Sequence, residues 1–141
     1  MSQQASRQKQ ADFVVKGRVI KPGVAKGEAL VSPEPIGFLG GVDAGTGVVT
    51  ERGHPLEGQC VADKVLVFPT GKGSTVGSYV LYQLAANDLA PAAILNAESE
   101  PIVAVGAIIG AIPMVDRVPI ARIETGDYIR VEDERVAVWK A

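Results

Sequence analysis

A glycine-rich turn at residues 71–74 carries the residue types best suited to chemistry in this chain. It follows a short apolar run and precedes a helical pattern. Gly71 and Gly73 allow backbone conformations that other residues avoid, and Ser74 can hold backbone N–H groups at the start of a helix. Those N–H groups and the helix dipole attract anions. Together with the positive charge of Lys72, they predict a binding site for a carboxylate or a phosphate.

Three familiar motifs do not fit this turn. In a nucleotide P-loop the lysine follows the second glycine, whereas Lys72 precedes Gly73, and no glycine stands five positions before Gly71. A dinucleotide fingerprint would need its third glycine one position earlier than Gly77. A Ser-His-Asp triad would have to recruit His54, the one histidine of the chain, from the loop at residues 51–55. A structural interpretation stays open, in which the turn is only a tight connection into a well-capped helix.

Composition excludes several classes of protein. The chain has 141 residues, is 47% hydrophobic and carries a net charge of −2. These values are typical of one folded domain. The chain lacks the excess of basic residues that is usual in a nucleic-acid-binding protein. A single cysteine, Cys60, cannot form a disulfide framework or hold an iron–sulfur cluster, so no metal is assigned to this chain. Without a signal peptide or a membrane-spanning run, a cytoplasmic protein is expected.

The order of predicted elements favours an α/β fold. The predicted strands cover residues 13–20, 27–31, 48–50, 63–69, 90–96, 112–115, 128–131 and 135–139, and the predicted helices cover residues 74–87 and 101–110. This order predicts a layered β/β/α domain over residues 13–141, with a partly parallel central sheet and flanking β-strands. Residues 1–12 are polar and are predicted to form a flexible N-terminal arm.

Two further segments each have two interpretations. Asp43 could line the same cleft as the glycine-rich turn, or its side chain could only cap the turn that follows it. The apolar stretch at residues 36–41 is bounded by glycines, so it could form part of a partner surface or of the ordinary core. Cys60 is interpreted as a small buried hydrophobic residue.

Two motifs resemble the small, swivel-domain subunit of the aconitase X family. They are Gly-Lys-Gly-Ser-Thr-Val-Gly-Ser-Tyr-Val at residues 71–80 and Phe-Leu-Gly-Gly-Val-Asp at residues 38–43. The opening segments at residues 17–20 and 27–31 fit the same pattern. The similarity runs from about Gly17 to Val118, and residues 1–12 lie outside it.

This resemblance implies a swivelling β/β/α fold and a dehydratase that works as two subunits. In such members a separate large subunit supplies the cysteines for an iron–sulfur cluster, and the small subunit supplies a serine at the position of Ser74. The single cysteine of this chain agrees with a cluster held by a partner.

Two activities occur in the family, and the resemblance favours one of them. One branch dehydrates (R)-5-phosphomevalonate to trans-anhydromevalonate 5-phosphate in an archaeal-type mevalonate pathway to isoprenoids. The other dehydrates cis-3-hydroxy-L-proline and tends to carry a run of serines after the turn. Residues 75–79 read Thr-Val-Gly-Ser-Tyr, which resembles the phosphomevalonate branch. The alternatives are the hydroxyproline activity and a non-enzymatic module that binds an anion.

Roles for individual residues follow from the resemblance. Ser74 is the expected proton acceptor. Lys72, Gly73, Thr75 and Asp43 are the expected contacts to a small anionic substrate. A phosphoryl-carrying swivel domain is disfavoured, because such a carrier typically uses a histidine and His54 lies outside the turn.

Overall fold

The computed structural model describes residues 10–141, and this part of the chain contains eight strands and two helices. The strands are β1 (Phe13–Lys16), β2 (Arg18–Lys21), β3 (Val24–Val31), β4 (Val65–Phe68), β5 (Ala93–Asn96), β6 (Met114–Asp116), β7 (Tyr128–Glu132) and β8 (Arg135–Trp139). The helices are α1 (Gly77–Ala86) and α2 (Pro101–Ile109), and Ile120–Arg122 form a short 3-10 turn. Neither helix of the described residues is long and apolar enough to cross a membrane.

The strands form one mixed sheet that curls almost into a barrel. Their order is β1-β8-β7-β3-β4-β5-β6-β2. Strands β3 to β6 run parallel to one another, and the remaining pairs are antiparallel. Strand β3 belongs to both the antiparallel and the parallel part of the sheet, because Val24–Glu28 pair with β7 and Ala29–Val31 pair with β4. The sequence-based prediction of an α/β fold with a partly parallel central sheet and flanking strands is confirmed.

The parallel strands form the middle of three layers, and both of their faces are buried. Along β4, Leu66 and Phe68 face the helices, whereas Val65 and Val67 face the antiparallel strands. All four of these side chains are fully buried. Alternate residues of a strand point to opposite faces, so a continuous apolar run is what a strand covered on both sides requires.

The predicted strand at residues 13–20 is two strands at opposite ends of the sheet. Strand β1 pairs with β8, and β2 pairs with β6. The chain crosses between them at Gly17, where an added Cβ would lie 2.3 Å from the backbone oxygen of Asp116 and 2.5 Å from Cγ1 of Val115. Only glycine fits this close crossing, so the break in the strand is set by contacts distant in sequence.

Alanine at position 17 is therefore expected to destabilise the fold by about 2 kcal/mol, because overpacking of this kind typically costs 1–3 kcal/mol. Chemical denaturation of Gly17→Ala against the parent would measure the loss. Gly45→Ala is the matched control, since the nearest atom to its added Cβ is 3.7 Å away. Equal stability of the two variants would contradict the crowded crossing.

Residues 32–64 connect β3 to β4 without a strand of their own. The predicted strand at residues 48–50 is wrong, because Val48 and Val49 make only isolated bridges to Cys60 and Val42. The segment contributes buried side chains to the helix-side core, namely Ile36, Phe38, Val42, Val49, Leu56 and Val61. Within the apolar stretch at residues 36–41, Ile36 and Phe38 thus belong to the core, and the large side chain left exposed is that of Leu39.

Residues 1–9 of the predicted N-terminal arm lie outside the described residues. Its last residue, Asp12, is held against the C-terminal strand. The N–H of Asp12 donates to the carbonyl of Val138 at 2.9 Å, and its carboxylate accepts from the N–H of Lys140 at 2.6 Å.

Candidate active site

The glycine-rich turn leaves the carboxyl end of β4 and leads into α1. It is held to the segment after β3 by two backbone hydrogen bonds, from Lys72 N–H to the Ile36 carbonyl at 3.1 Å and from Ile36 N–H to the Thr70 carbonyl at 3.3 Å. Beyond this anchor, residues 72–76 are all exposed. The carboxyl edge of parallel strands is where α/β proteins usually bind ligands, so the turn presents its polar groups at a favourable place.

The two glycines of the turn are required for different reasons. Gly73 has a φ of +100°, a conformation that favours glycine. An added Cβ on Gly71 would lie 2.4 Å from Cγ2 of Val103 and 2.6 Å from Oε1 of Glu100. The turn can therefore approach the start of α2 this closely only with glycine at position 71.

Ser74 is on the surface, and the helix begins later than the sequence pattern predicts. Its Oγ accepts from the N–H of Val76 at 3.2 Å, and its carbonyl accepts from the N–H of Gly77 at 2.9 Å. Val76 is the N-cap of α1 and makes no side-chain cap hydrogen bond. The prediction that Ser74 caps a helix over residues 74–87 is therefore wrong in position. The left-handed Gly73 and a tight turn at residues 74–76 separate the serine from the helix.

Three consecutive backbone donors of the turn are available to an anion. Within residues 10–141, the N–H groups of Gly73, Ser74 and Thr75 donate to no protein acceptor. Successive N–H groups around a left-handed residue form a concave anion site, and the positive end of the α1 dipole lies next to them.

The neighbouring helix N-terminus is already filled. The carboxylate of Glu100 accepts from the N–H of Ile102 at 2.7 Å and from that of Val103 at 3.3 Å. This carboxylate satisfies the first donors of α2, as an N-cap does. The first N–H groups of α1 are filled as well, because Gly77, Ser78 and Tyr79 donate to the carbonyls of residues 74, 75 and 76. The donors left open to a ligand therefore lie in the turn at residues 73–75 and not on either helix N-terminus.

Lys72 is not a free charge. Its Nζ lies 3.0 Å from Oε2 of Glu51, and both side chains are partly exposed. An exposed pair of this kind is worth about 1 kcal/mol or less, so an incoming anion can compete for the ammonium group at little cost. Glu51 was not predicted as part of the site, because it lies 21 residues away from Lys72 and no local pattern links the two.

His54 has a structural role in its loop. Its Nδ1 accepts from the N–H of Leu56 at 3.0 Å, and its Nε2 lies 3.1 Å from the carbonyl of Pro35. A carbonyl only accepts, so Nε2 carries the proton. Both ring nitrogens are therefore used by the loop, and the imidazole is buried. This arrangement agrees with the exclusion of a Ser-His-Asp triad.

Asp43 lies away from Ser74. Its carboxylate accepts from the N–H of Gly45 at 3.2 Å and from the hydroxyl of Thr46 at 2.8 Å. The same turn is tied to the C-cap of α1, because Asn87 donates to the carbonyl of Ala44 at 2.9 Å. Ser74 precedes the opposite end of this ten-residue helix, about 15 Å away at 1.5 Å per residue. The structure brings together Lys72, Gly73, Ser74 and Thr75, but not Asp43.

An ion pair at the same edge of the sheet was not predicted from the sequence, and it joins the buried carboxylate of Asp116 to Arg18, whose side chain is 45% exposed. Arg18 binds Asp116 through Nε at 3.0 Å and a terminal nitrogen at 2.7 Å, and the N–H of Ser99 donates to the same carboxylate at 3.0 Å. Burial by itself would raise the pKa of Asp116, but the hydrogen bonds from Arg18 and Ser99 outweigh it and lower the pKa to about 2. The pair joins β2 to β6 and is 98 residues apart in sequence.

Asp116 is therefore expected to stabilise the fold above its unfolded pKa and to lose that contribution as the pH falls towards 2. A shift of this size corresponds to about 2 kcal/mol at neutral pH. Asp116→Asn should lower the free energy of unfolding by about that amount and flatten its fall between pH 4 and pH 2, an interval set by the ordinary value of 3.8 and the lowered one. Denaturation at several pH values would measure both effects, with Glu134→Gln as the exposed control. An unchanged acid limb would contradict the role of Asp116.

The side chains at residues 10–141 do not form a site for an iron–sulfur cluster. Cys60 is the one cysteine of the chain, and within the described residues no group of three or more metal-binding side chains comes together. Cys60 is exposed, contrary to the prediction that it is buried, and its Sγ lies 3.6 Å from the carbonyl of Thr46. It therefore sits with Asp43 rather than with Ser74.

Residues 14–138 match the family model described as the aconitase X swivel domain. The chain belongs to this family, and the resemblance seen in the sequence is confirmed.

Named relatives and a solved structure lie close to this chain. It is 59% identical over 121 residues to the phosphomevalonate dehydratase small subunit of Methanocella arvoryzae, covering 84% of this chain and 92% of that one. It is 54% identical to the protein of the same name from Methanococcoides burtonii, covering 84% and 88%. The crystal structure of Thermococcus kodakaraensis aconitase X in its holo-form matches with a TM-score of 0.89 and 51% identity, covering 91% of this chain and 99% of that one.

Proposed function

We propose that this chain is the small subunit of a hydro-lyase that dehydrates (R)-5-phosphomevalonate to trans-anhydromevalonate 5-phosphate. The observation that carries the proposal is the exposed Ser74 in a turn whose three N–H groups, at residues 73–75, have no acceptor within residues 10–141. The relatives that bear the name phosphomevalonate dehydratase small subunit support the choice of substrate. The hydroxyproline branch and a purely anion-binding role are not favoured.

The chemistry assigned to this chain is proton removal and charge stabilisation. Loss of water from phosphomevalonate takes a proton from the carbon next to the carboxylate and a hydroxyl from the following carbon. For this role Ser74 would first give its own hydroxyl proton to solvent. The alkoxide would then take the proton of the substrate, and the proton and hydroxide that leave phosphomevalonate together account for one water. The hydrogen bond from Val76 N–H to Oγ of Ser74 favours the charged form, and the adjacent α1 dipole acts in the same direction.

The backbone donors act on the substrate rather than on the serine. Removal of the proton increases the negative charge on the substrate carboxylate, and fixed donors aimed at developing charge lower the barrier. The N–H groups of Gly73 and Thr75 supply such donors, and Lys72 supplies a cation that can exchange Glu51 for the substrate. Asp43 lies at the far end of α1, so its predicted substrate contact stays a prediction without support from this arrangement.

The remaining chemistry belongs to a larger partner. The family resemblance implies an iron–sulfur cluster, whose ligands this chain does not provide. We assign them to the large subunit that the name of the relatives implies. The Ser74 turn is open to solvent, so closure by that subunit would exclude water and strengthen the interactions described above.

The proposal is tested by combining the full chain with its large subunit and supplying two substrates separately. (R)-5-Phosphomevalonate should be dehydrated, and cis-3-hydroxy-L-proline should be turned over at least 100-fold more slowly. Mass spectrometry of each reaction would detect the loss of water. Preference for hydroxyproline would overturn the substrate assignment, and inactivity of a stable, fully loaded complex on both substrates would overturn the dehydratase assignment.

A further inference from the structure

The outer face of the two helices is more apolar than a helix surface that faces solvent normally is. Neither α1 nor α2 contains an aspartate, glutamate, lysine or arginine. The large side chains that they expose are Tyr79, Tyr82, Val105, Ile108 and Ile109, each between 45% and 56% exposed. A helix at the surface of a globular protein normally turns charged and polar residues outwards. These five side chains, the helix face, therefore indicate a surface that is covered in the working protein.

The helix face is one continuous surface. The two helices touch closely, because an added Cβ on Gly106 would lie 2.6 Å from Cδ1 of Leu81 and 3.1 Å from Cα of Ser78. On α1 the rings of Tyr79 and Tyr82 stack with centroids 6.1 Å apart. The five half-exposed side chains therefore lie on one apolar patch across both helices, and extended apolar patches on a soluble protein mark interaction sites.

The helix face continues into the Ser74 turn. Val76, two residues after Ser74, is 48% exposed and precedes α1 directly. Leu39 is equally exposed, and its backbone nitrogen would lie 3.7 Å from an added Cβ on Gly77. A protein that binds over the helix face therefore also reaches the edge of the candidate active site.

We propose that the helix face, with Val76 and Leu39 at its edge, is the docking surface for the large subunit. This proposal rests on the proposed function, which requires a second subunit over Ser74. The chemistry fits, because the centres of stable interfaces are apolar, poor in charge and rich in tyrosine. A second copy of this chain fits less well, because self-association here would place two Ser74 turns together without the partner. Residues 1–9 offer little to cover the face, since Met1 and Ala5 are their only apolar residues.

The test places charge on the helix face and measures assembly rather than activity. In the full chain, Val105→Lys with Ile109→Lys should raise the Kd for the purified large subunit at least 100-fold, measured by calorimetry without substrate. Lysine has a higher helix propensity than valine or isoleucine, and both positions are exposed, so the variant should keep its fold. Its melting temperature, measured alone, would verify this. Val24→Lys is the matched control, because Val24 is an exposed valine on β3, and its Kd should change less than twofold.

Several outcomes would overturn the docking surface. One is an unchanged Kd for a folded double variant, and another is an effect of equal size in Val24→Lys. Sedimentation that shows a parent dimer, abolished by the double variant while binding to the large subunit persists, would assign the face to a second copy instead. Failure of the parent chain to bind the large subunit would also refute the proposal. If the helix face controls assembly and the loaded complex dehydrates neither substrate, the docking surface stands and the proposed function fails.

Discussion

Replacing Ser74 by alanine is expected to reduce dehydration of (R)-5-phosphomevalonate by 10²–10⁴-fold, the usual contribution of a positioned acid or base. The complex with the large subunit should still form. The change removes one exposed hydrogen bond, from Val76 N–H to Oγ, and water can replace the lost acceptor. The turnover number of the loaded complex would measure the effect.

Ser78→Ala provides the matched control for this variant. Ser78 lies four residues further along, and its hydroxyl donates to the carbonyl of Thr75 at 3.0 Å. Its loss should cost less than threefold in turnover. If Ser74→Ala kept more than a tenth of the parental rate in an assembled complex, Ser74 would not be the proton acceptor.

Lys72→Ala is expected to raise KM for phosphomevalonate by about 10–100-fold with a smaller change in kcat. A hydrogen bond between charged groups is worth about 1.5–3 kcal/mol, and a cation that holds the substrate equally in the ground and transition states affects mainly KM. Steady-state kinetics on the assembled complex would separate the two constants. Glu51→Gln should act in the opposite direction and lower KM a few-fold, because it releases Lys72 from its partner.

Lys64→Ala is the control for a general loss of positive charge. Lys64 pairs with Glu28 at 3.9 Å and precedes β4, so it lies at the opposite edge of the parallel strands from the Ser74 turn. Its removal should leave KM unchanged. A Lys72→Ala complex with parental KM would show that this lysine only forms a surface pair.

The elements that were predictable from sequence are those fixed by nearby residues. The apolar run Val65–Phe68 predicts a strand buried on both faces, and Pro101 predicts the first position of α2. The turn after Glu132 predicts the connection between the last two strands. The Ser74 turn could be found for the same reason, since its glycines, lysine and serine are contiguous. Local chemistry decides each of these features.

The features that sequence did not predict depend on contacts between distant residues. Gly17 divides one apparent strand because β6 lies against it, and the same approach pairs Arg18 with Asp116. Glu51 reaches Lys72 only after the connection at residues 32–64 has folded over the helix-side core. Asp43 is drawn to the far end of α1 by the bond from Asn87. None of these contacts leaves a periodic signal in the chain.

On the proposed function, this chain completes an active centre whose other half lies on the large subunit. The most direct test is the rate of phosphomevalonate dehydration by the purified, loaded large subunit as this chain is titrated in. We predict no measurable rate without the chain and a linear rise that saturates at one chain per large subunit. A full rate from the large subunit alone, unaffected by the added chain, would show that this chain supplies nothing to the active centre.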